Sequence, residues 1–229
     1  MSPALFTPLQ RFAAYGRGEA IDRLPCVPII GNTSARLIGA KVSAFRGNGP
    51  LIAEAQIAAY RTFGYDVIRI FTQMASTTVI SPRLFQEFAL PYLKRLIDYL
   101  HGRGKSVTLH ICGKTAKIWE PMVAAGADCL SIDNEASLTE AKLAIGDRAR
   151  IMGNVRPSEI MLQGTPAEVR QAVFAGVAEA WDSPKGYIVA SGCSLPTETP
   201  FVNIQAMMDA VTELGWPINP EKLKTTLQG

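Results

Sequence analysis

The sequence predicts an α/β fold of the TIM (β/α)8 barrel type that is apparently shortened. Short apolar segments alternate with amphipathic helical segments along the chain, and this alternation is typical of a parallel sheet covered by helices. About six strands are recognisable, whereas a closed barrel needs eight strands and usually about 250 residues. The chain has 229 residues, of which 48% are hydrophobic, which is enough for one sizeable core. We therefore expect a single domain over residues 1–229.

The first part of the chain is predicted to contain two helices and two strands. Thr7-Pro8 indicates a helix start, because threonine caps helices and proline fits the first helical position. Gly64 is expected to end the second helix, since glycine is common just past a helix C-terminus. The predicted elements are helix 7–16, strand 26–30, helix 50–63 and strand 66–71.

The rest of the chain is predicted to begin with a long amphipathic helix and to continue as four strand–helix units. Ser81-Pro82 caps the long helix, Pro91 is expected to kink it, and Gly102 and Gly104 end it. The following strands are expected at 106–112, 128–132, 149–154 and 187–191, and the helices after them at 115–125, 137–145, 165–181 and 202–214.

The charge pattern and the cysteine content restrict the classes of function. The net charge is only +3 and the charged residues are interspersed, which predicts neither nucleic-acid nor membrane binding. There is no apolar run of 18 residues, and the start MSPALFTPLQRF lacks the features of a signal peptide. We therefore expect a soluble cytoplasmic protein. In that compartment its four widely spaced cysteines are thiols or metal ligands rather than disulfides.

A histidine and two cysteines fall at or just past the carboxyl ends of predicted strands. His110 and Cys112 point the same way, because side chains alternate along a strand, and Cys193 follows the last strand. Catalytic groups of barrel folds collect at this edge. Two thiolates and one imidazole would leave a fourth position open, which is the ligand set of a catalytic zinc. Gly113 and Gly192 beside the cysteines would let the backbone turn sharply.

The spacing alone leaves an alternative open, because cysteines in strands are often buried small hydrophobic residues. That structural interpretation is preferred for Cys26 and Cys129, the latter at the start of its strand and away from the predicted site. If His110 and Cys112 were also structural, the chain would hold no metal.

Two further strand-end residues, Asp133 and Asn154, are candidate catalytic residues. Asp133 would orient the substrate or the zinc ligands, or else cap the helix that starts near Ser137. Asn154 would contact the substrate or form a turn. Outside the strands, Glu135 and Glu198 are candidate fourth zinc ligands or solvated loop charges.

Several stretches of the sequence together form a recognisable pattern. They are Arg11-Phe-x(9)-Asp22-Arg23-x-Pro25, ISPRLFQEFALPYLKRLID (80–98), the set of His110, Cys112 and Cys193, GNVRP (153–157) with LQGTPAEV after it, and GCSLPTETPFVNIQAM (192–207). These stretches resemble the uroporphyrinogen decarboxylase superfamily. Within it they are most similar to the zinc-dependent methyltransferases that act on methylcobalamin and a thiol such as coenzyme M.

The resemblance implies a reaction and its participants. Zn²⁺ bound by His110, Cys112 and Cys193 would hold a small thiol as its thiolate, and the sulfur would take a methyl group from a methylated corrinoid such as methylcobalamin. The corrinoid would arrive on a separate protein that docks at the open end of the barrel. The second ring nitrogen of His110 is expected to contact a carboxylate or carbonyl that fixes its tautomer.

The chain also departs from the family pattern in two respects. Arg156 stands where the decarboxylases carry an acidic residue, and IIGNTSARLIGA replaces their arginine-rich glycine loop, which argues against porphyrinogen decarboxylation. Arg156 itself would pair with an anionic substrate group or lie on the surface. Family chains are longer, and the missing part would fall between Phe71 and Ala75, which predicts an internal deletion near 72–76.

These departures keep two alternatives to the methyltransferase open. The first is a metal-free decarboxylase of the uroporphyrinogen decarboxylase type, with basic residues lining its pocket. The second is an inactive shortened relative that binds zinc or a corrinoid protein without turnover. An unclosed barrel would also leave strand edges uncovered, and such edges could pair in a homodimer.

Overall fold

Five parallel strands form one sheet in a computed structural model that describes residues 6–45, 48–66, 81–102, 104 and 106–228. The strands are β1 (Cys26–Val27), β2 (Thr108–His110), β3 (Cys129–Ser131), β4 (Arg150–Val155) and β5 (Tyr187–Ser191). Their order across the sheet is β1-β5-β4-β3-β2. The first and last strands are thus neighbours, as in a barrel, but the sheet formed by the described residues does not close. The predicted α/β class is confirmed.

Nine α-helices lie among the described residues. They are α1 (Pro8–Gly16), α2 (Gly49–Phe63), α3 (Pro82–Leu84), α4 (Leu90–His101), α5 (Trp119–Ala124), α6 (Leu138–Ile145), α7 (Pro166–Ala180), α8 (Phe201–Leu214) and α9 (Pro220–Gln228). None of these helices is both long and apolar enough to cross a membrane. The predicted strand 66–71 lies outside the described residues except for Asp66, and so does the predicted deletion near 72–76.

Helix starts follow the predicted capping chemistry. The side chain of Thr7 accepts a hydrogen bond from the backbone N–H of Gln10, whose side chain in turn accepts from the backbone of Thr7. Thr165 and Glu168 form the same reciprocal box at the start of α7. Such caps satisfy backbone donors that the first helical turn leaves without a partner. The short Thr-Pro motifs therefore fix where these helices begin.

The long helix predicted after Ser81 is interrupted instead of simply kinked. A π-helical turn at Phe85–Ala89 separates α3 from α4, just before Pro91. Proline has no backbone N–H and its ring clashes with the carbonyl four residues earlier, so the regular bonding ladder cannot pass through it. The structure also contains elements that were not predicted: 3-10 turns at Asn32–Ile38 and Val42–Phe45, a π turn at Pro157–Leu162, and α9.

The core of the described residues has two parts on the two faces of the sheet and a third, small cluster of Ala35, Phe45 and Ala55. The larger part lies between the sheet and the helices. The smaller part consists of Val27, Ile29, Cys129, Met152, Ile188 and Ala190, with Phe12 of α1 packed against it. All five residues of β5 are buried, because helices cover one face and the smaller cluster covers the other. This burial on both faces explains why the strands are almost entirely apolar.

A buried ionic cluster fixes the amino end of β1. Arg11 is 1% exposed, and it donates two hydrogen bonds of 2.6 Å to Asp22 and a further one to Asp66. Arg23 also donates to Asp66, at 2.6 Å. The backbone N–H of Cys26 donates to the Asp66 carboxylate, and the N–H of Asp66 donates to the carbonyl of Cys26. The cluster therefore ties α1 and residue 66 to β1.

We expect Arg11→Met to destabilise the protein by about 3–5 kcal/mol, because it leaves the half-buried Asp22 without the cation that it pairs with and the buried Asp66 with Arg23 alone. Denaturant unfolding at neutral pH measures this change. The matched control is Arg17→Met, which removes only an exposed pair with Glu19 and should cause no measurable change.

The loss caused by Arg11→Met should depend on pH. Burial opposes the ionisation of Asp22, but the hydrogen bonds and charge of Arg11 outweigh it, so the pKa of Asp22 lies below its ordinary value. Its stabilising contribution is therefore complete at neutral pH and is lost as the pH falls below about 4 through the lower folded pKa. A penalty equally large in strong acid would contradict this account.

Candidate metal centre

The structure brings four potential metal ligands together at the carboxyl edge of the sheet. They are His110, Cys112, Asp133 and Cys193, whose ligand atoms all lie within 4.8 Å of one another. His110 is the last residue of β2, Asp133 comes two residues after β3, and Cys193 two residues after β5. The three residues predicted as zinc ligands thus meet in space, although Cys112 and Cys193 are 81 positions apart.

The spacing of the donor atoms fits a small tetrahedral cation. The sulfur of Cys112 lies 3.3 Å from Nε2 of His110 and 3.6 Å from the sulfur of Cys193. Ligands at the usual zinc–nitrogen and zinc–sulfur bond lengths stand about 3.3–3.8 Å apart in a tetrahedron. Two thiols, one imidazole and one carboxylate are also donors that zinc accepts. The residues present therefore fit the metal that the sequence predicts.

The imidazole of His110 is held with Nε2 towards the cysteines. Its Nδ1 lies 3.0 Å from the carbonyl oxygen of Ser131 and 3.1 Å from the Ser131 hydroxyl. A carbonyl oxygen only accepts hydrogen bonds, so Nδ1 carries the proton and the lone pair of Nε2 faces Cys112. The expected contact between the second ring nitrogen and a carbonyl is confirmed. It comes from the register of the sheet, which pairs His110 with Ser131.

The crowding of acidic groups favours a cation. Burial, the hydrogen bond with Cys193 and the nearby charge of Asp133 raise the pKa of the Cys112 thiol to about 11. A thiolate beside a carboxylate is therefore unfavourable at this site unless a cation balances their charges. A divalent metal would reverse this effect, since coordination removes the thiol proton.

Asp133 is buried within the group, and its loop is fixed by hydrogen bonds. Its Oδ1 accepts a hydrogen bond of 2.9 Å from the backbone N–H of Glu135. The alternative role as a helix cap is wrong, because the hydroxyl of Ser137 caps α6 by accepting from the N–H of Glu140. The catalytic role of Asp133 stays a prediction.

Asn154 lies at the end of β4 but not among the four clustered ligands. Its amide donates to the carbonyl oxygen of Asp133 at 3.0 Å and to that of Ala136 at 2.7 Å. These bonds hold the loop that carries Asp133. The predicted catalytic role of Asn154 stays a prediction, and the observed contacts favour a positioning role.

The other charged candidates lie outside the cluster. Glu135 is exposed and is not part of the four-residue group. Glu198 pairs with Arg36 at 3.6 Å. Arg156 is more than half exposed and lies 3.8 Å from Glu159, which favours the surface interpretation.

The two remaining cysteines lie in the core, as predicted. Cys26 and Cys129 are buried, and burial raises the pKa of Cys26 to about 12. None of the four cysteines, all of which lie among the described residues, forms a disulfide.

Glycines let the cysteine loops approach the other strand ends. Gly113 has a φ of +81°, a conformation that favours glycine. A Cβ on Gly192 would lie 2.6 Å from the backbone nitrogen of Asn134, so the loop of Cys193 packs directly on the loop of Asp133. Ser131 was missed from the sequence, although it is a polar residue in a strand that is otherwise apolar.

These features define a class of protein with a barrel-type parallel α/β fold. At the carboxyl edge of its sheet lies a candidate metal centre made of two thiols, one imidazole and one carboxylate. The sequence profile of the uroporphyrinogen decarboxylase (URO-D) family matches residues 7–77 and 73–214. The chain belongs to this family.

Similar proteins include both methyltransferases and decarboxylases. The methylcobamide:CoM methyltransferase MtaA of Methanosarcina barkeri is 32% identical over 181 residues, which cover 76% of this chain and 50% of that protein. The methylcobamide:CoM methyltransferase MtbA of Methanosarcina mazei is 30% identical over 64% of this chain and 41% of its own length. A uroporphyrinogen decarboxylase of Aliivibrio fischeri is 30% identical over 61% of this chain and 39% of its own length.

A solved structure supports the same fold. A methyltransferase from Methanosarcina mazei superposes with a TM-score of 0.55 at 27% identity, over 81% of this chain and 57% of that one. The chain spans about half or less of the length of the curated relatives it matches.

We expect Gly192→Ala to destabilise the protein by about 1–3 kcal/mol, because the new Cβ would collide with Asn134 in a closely packed contact. Thermal or denaturant unfolding of metal-free protein measures the change. Gly16→Ala is the matched control, since a Cβ there meets only the end of the Arg150 side chain at 3.6 Å. Equal stability of the two variants would show that the two loops are not packed as described.

Proposed function

We propose that this protein is a zinc-dependent methyltransferase that moves a methyl group from a methylated corrinoid to a small thiol such as coenzyme M. The observation that carries the proposal is the cluster of one imidazole, two thiols and one carboxylate at the carboxyl edge of the sheet. Two similar proteins named as methylcobamide:CoM methyltransferases support it.

Each residue of the cluster has a proposed task. His110, through Nε2, and the sulfurs of Cys112 and Cys193 would hold the metal. Zinc held there would supply a Lewis acid that keeps a thiol substrate ionised at neutral pH. Ser131 keeps Nε2 of His110 in its unprotonated form. The Asp133 carboxylate lies close enough to the three ligands to orient the thiol and take its proton.

The alternative of a metal-free decarboxylase rests on relatives of similar identity that are named uroporphyrinogen decarboxylases. Two features favour the methyltransferase over it. The donor set of two thiols and an imidazole suits a metal and has no task in a metal-free reaction. In the segment that replaces the arginine-rich loop, Arg36 donates to carbonyl oxygens of Thr197 and Thr199 and is therefore occupied within the protein.

We also propose that the chain is one domain with an internal deletion near 72–76. The two family matches, 7–77 and 73–214, meet at this place, although the matched part covers only 50% of the length of the relative MtaA. The deletion would remove β/α units between the first strand and α3. The proposed deletion also keeps open the hypothesis of an inactive shortened relative, which binds zinc or a corrinoid protein without turnover.

We propose a second copy of this chain as a partner, in addition to a corrinoid protein. Within the described part of the chain, β2 has a neighbouring strand on one side only. Close to it in sequence, Phe88, Tyr92 and Leu96 repeat every four residues and are each about half exposed or more. Together they present roughly 300–400 Å² of apolar surface, almost half of what one partner buries in a stable dimer. A second copy of the chain would cover this apolar face.

We expect about one zinc per chain in wild-type protein and a large loss of zinc in Cys193→Ser, measured by elemental analysis after purification in reducing buffer. Cys129→Ala is the matched control, because its thiol is buried away from the cluster, and it should keep its zinc. Methylcobalamin demethylation by coenzyme M then tests turnover in the zinc-loaded protein.

The outcomes of the zinc and turnover measurements separate the three hypotheses. Zinc with methyl transfer supports the methyltransferase, and zinc without it supports the inactive relative. A wild type that takes up no zinc overturns the methyltransferase proposal and leaves the decarboxylase.

We expect twice the chain mass for wild type by light scattering coupled to size exclusion, and a monomer for Tyr92→Lys, because a charge in the centre of an apolar interface prevents its burial. Leu143→Lys is the matched control: Leu143 is 79% exposed on α6 and should leave the dimer intact. A monomeric wild type at high micromolar concentration would rule out this partner.

A further inference from the structure

The loop that carries Cys193 is attached to the segment after β1. The hydroxyl of Thr33, in the 3-10 turn Asn32–Ile38, lies 3.2 Å from the carbonyl oxygen of Leu195 and 2.9 Å from that of Pro196. Thr33 is completely buried. A hydroxyl has only one proton to donate, so it is shared between the two carbonyls. The bond is therefore shielded from water and ties the loop two residues beyond Cys193.

Arg36 of the same turn binds the next part of the loop. Its Nη1 donates to the carbonyl oxygens of Thr197 and Thr199, both at 3.0 Å. Its Nε lies 3.6 Å from the carboxylate of Glu198, and its guanidinium lies over the ring of Phe201, 5.0 Å from the centroid. One side chain thus holds the loop as far as the first turn of α8.

Backbone contacts hold the loop on both sides of the cysteine. The N–H of Leu195 donates to the carbonyl oxygen of Ile29 at 3.0 Å, and the N–H of Ile29 donates to the hydroxyl of Ser191 at 3.1 Å. Ser191 precedes Cys193 by two residues and Leu195 follows it by two. The place of the Cys193 sulfur is therefore set from the β1 side of the sheet, which contributes no ligand itself.

We infer that Thr33 and Arg36 are positioning residues for Cys193, so that metal affinity depends on two side chains that do not touch the metal ligands. The inference rests on the proposed function, because it presupposes that the cluster binds a metal. Mutation of residues that orient the metal ligands without touching the metal commonly lowers metal affinity 10–100-fold.

The test compares Thr33→Val with Thr33→Ser in cobalt-substituted protein. Valine has the shape of threonine but no hydroxyl, whereas serine keeps the hydroxyl. The affinity for Co²⁺ is measured by competition with a chelator, and the thiolate-to-cobalt and d–d absorption bands report the ligand geometry. We expect Thr33→Val to bind Co²⁺ at least tenfold more weakly and with shifted bands. Thr33→Ser should stay close to wild type.

Two controls separate positioning from loss of stability. Thr212→Val removes a hydroxyl bond to a helix carbonyl in α8 and should leave the cobalt affinity unchanged. The unfolding temperature of each metal-free variant shows whether the fold is intact. If Thr33→Val does not fold, Arg36→Met takes its place, with the same loss of affinity expected.

The possible outcomes are distinct. Wild type that binds no Co²⁺ or Zn²⁺ overturns the proposed function and this inference with it. Wild type that binds metal, beside a Thr33→Val variant with unchanged affinity and spectrum, overturns only the inference. Equal losses in Thr33→Val and Thr33→Ser, accompanied by lower unfolding temperatures, would show a merely structural role and also overturn it.

Discussion

The candidate centre depends on the parallel pairing of strands, which brings carboxyl ends from distant parts of the chain to one edge. The pairing places His110 opposite Ser131 and Ser131 opposite Met152. Another pair, Val155 and Ser191, ends β4 and β5 together. Because these strands run in the same direction and are in register, the residues just beyond them meet, whatever their separation in sequence.

The two ends of the sheet hold different arrangements of charged and ionisable groups. At the amino end, Arg11 and Asp66 form a buried ionic cluster in which each charge has a partner. At the carboxyl end, burial, the hydrogen bond with Cys193 and the nearby charge of Asp133 raise the pKa of the Cys112 thiol. The first arrangement stabilises the metal-free protein, while the second gains only from a bound cation. The buried ionic cluster and the candidate metal centre therefore lie at opposite edges of the same sheet.

The parts of the structure that follow from local sequence patterns could be predicted from the sequence. Strand–helix alternation predicted the α/β class, Thr7-Pro8 predicted a helix start, and H-x-C with a distant cysteine predicted the three clustered donors. Contacts between segments far apart could not be predicted in this way. Thr33 and Arg36 lie in a turn without periodicity, and their partners are backbone carbonyls more than 160 positions away. The choice of Asp133 over Glu135 likewise depends on how a loop folds after its strand.

The location of the candidate site is compatible with the proposed deletion near 72–76. Its ligands follow β2, β3 and β5, and the turn after β1 supports one of them. β1 pairs directly with β5, so these contacts join neighbouring strands within the described part of the chain. The proposed deletion would spare the candidate metal ligands and would remove parts of the barrel that, in the proposed methyltransferase, enclose the substrate or receive the corrinoid protein. Under this proposal metal binding and turnover would be separable, because metal binding would depend on neighbouring strand ends and turnover on the full circumference of the barrel.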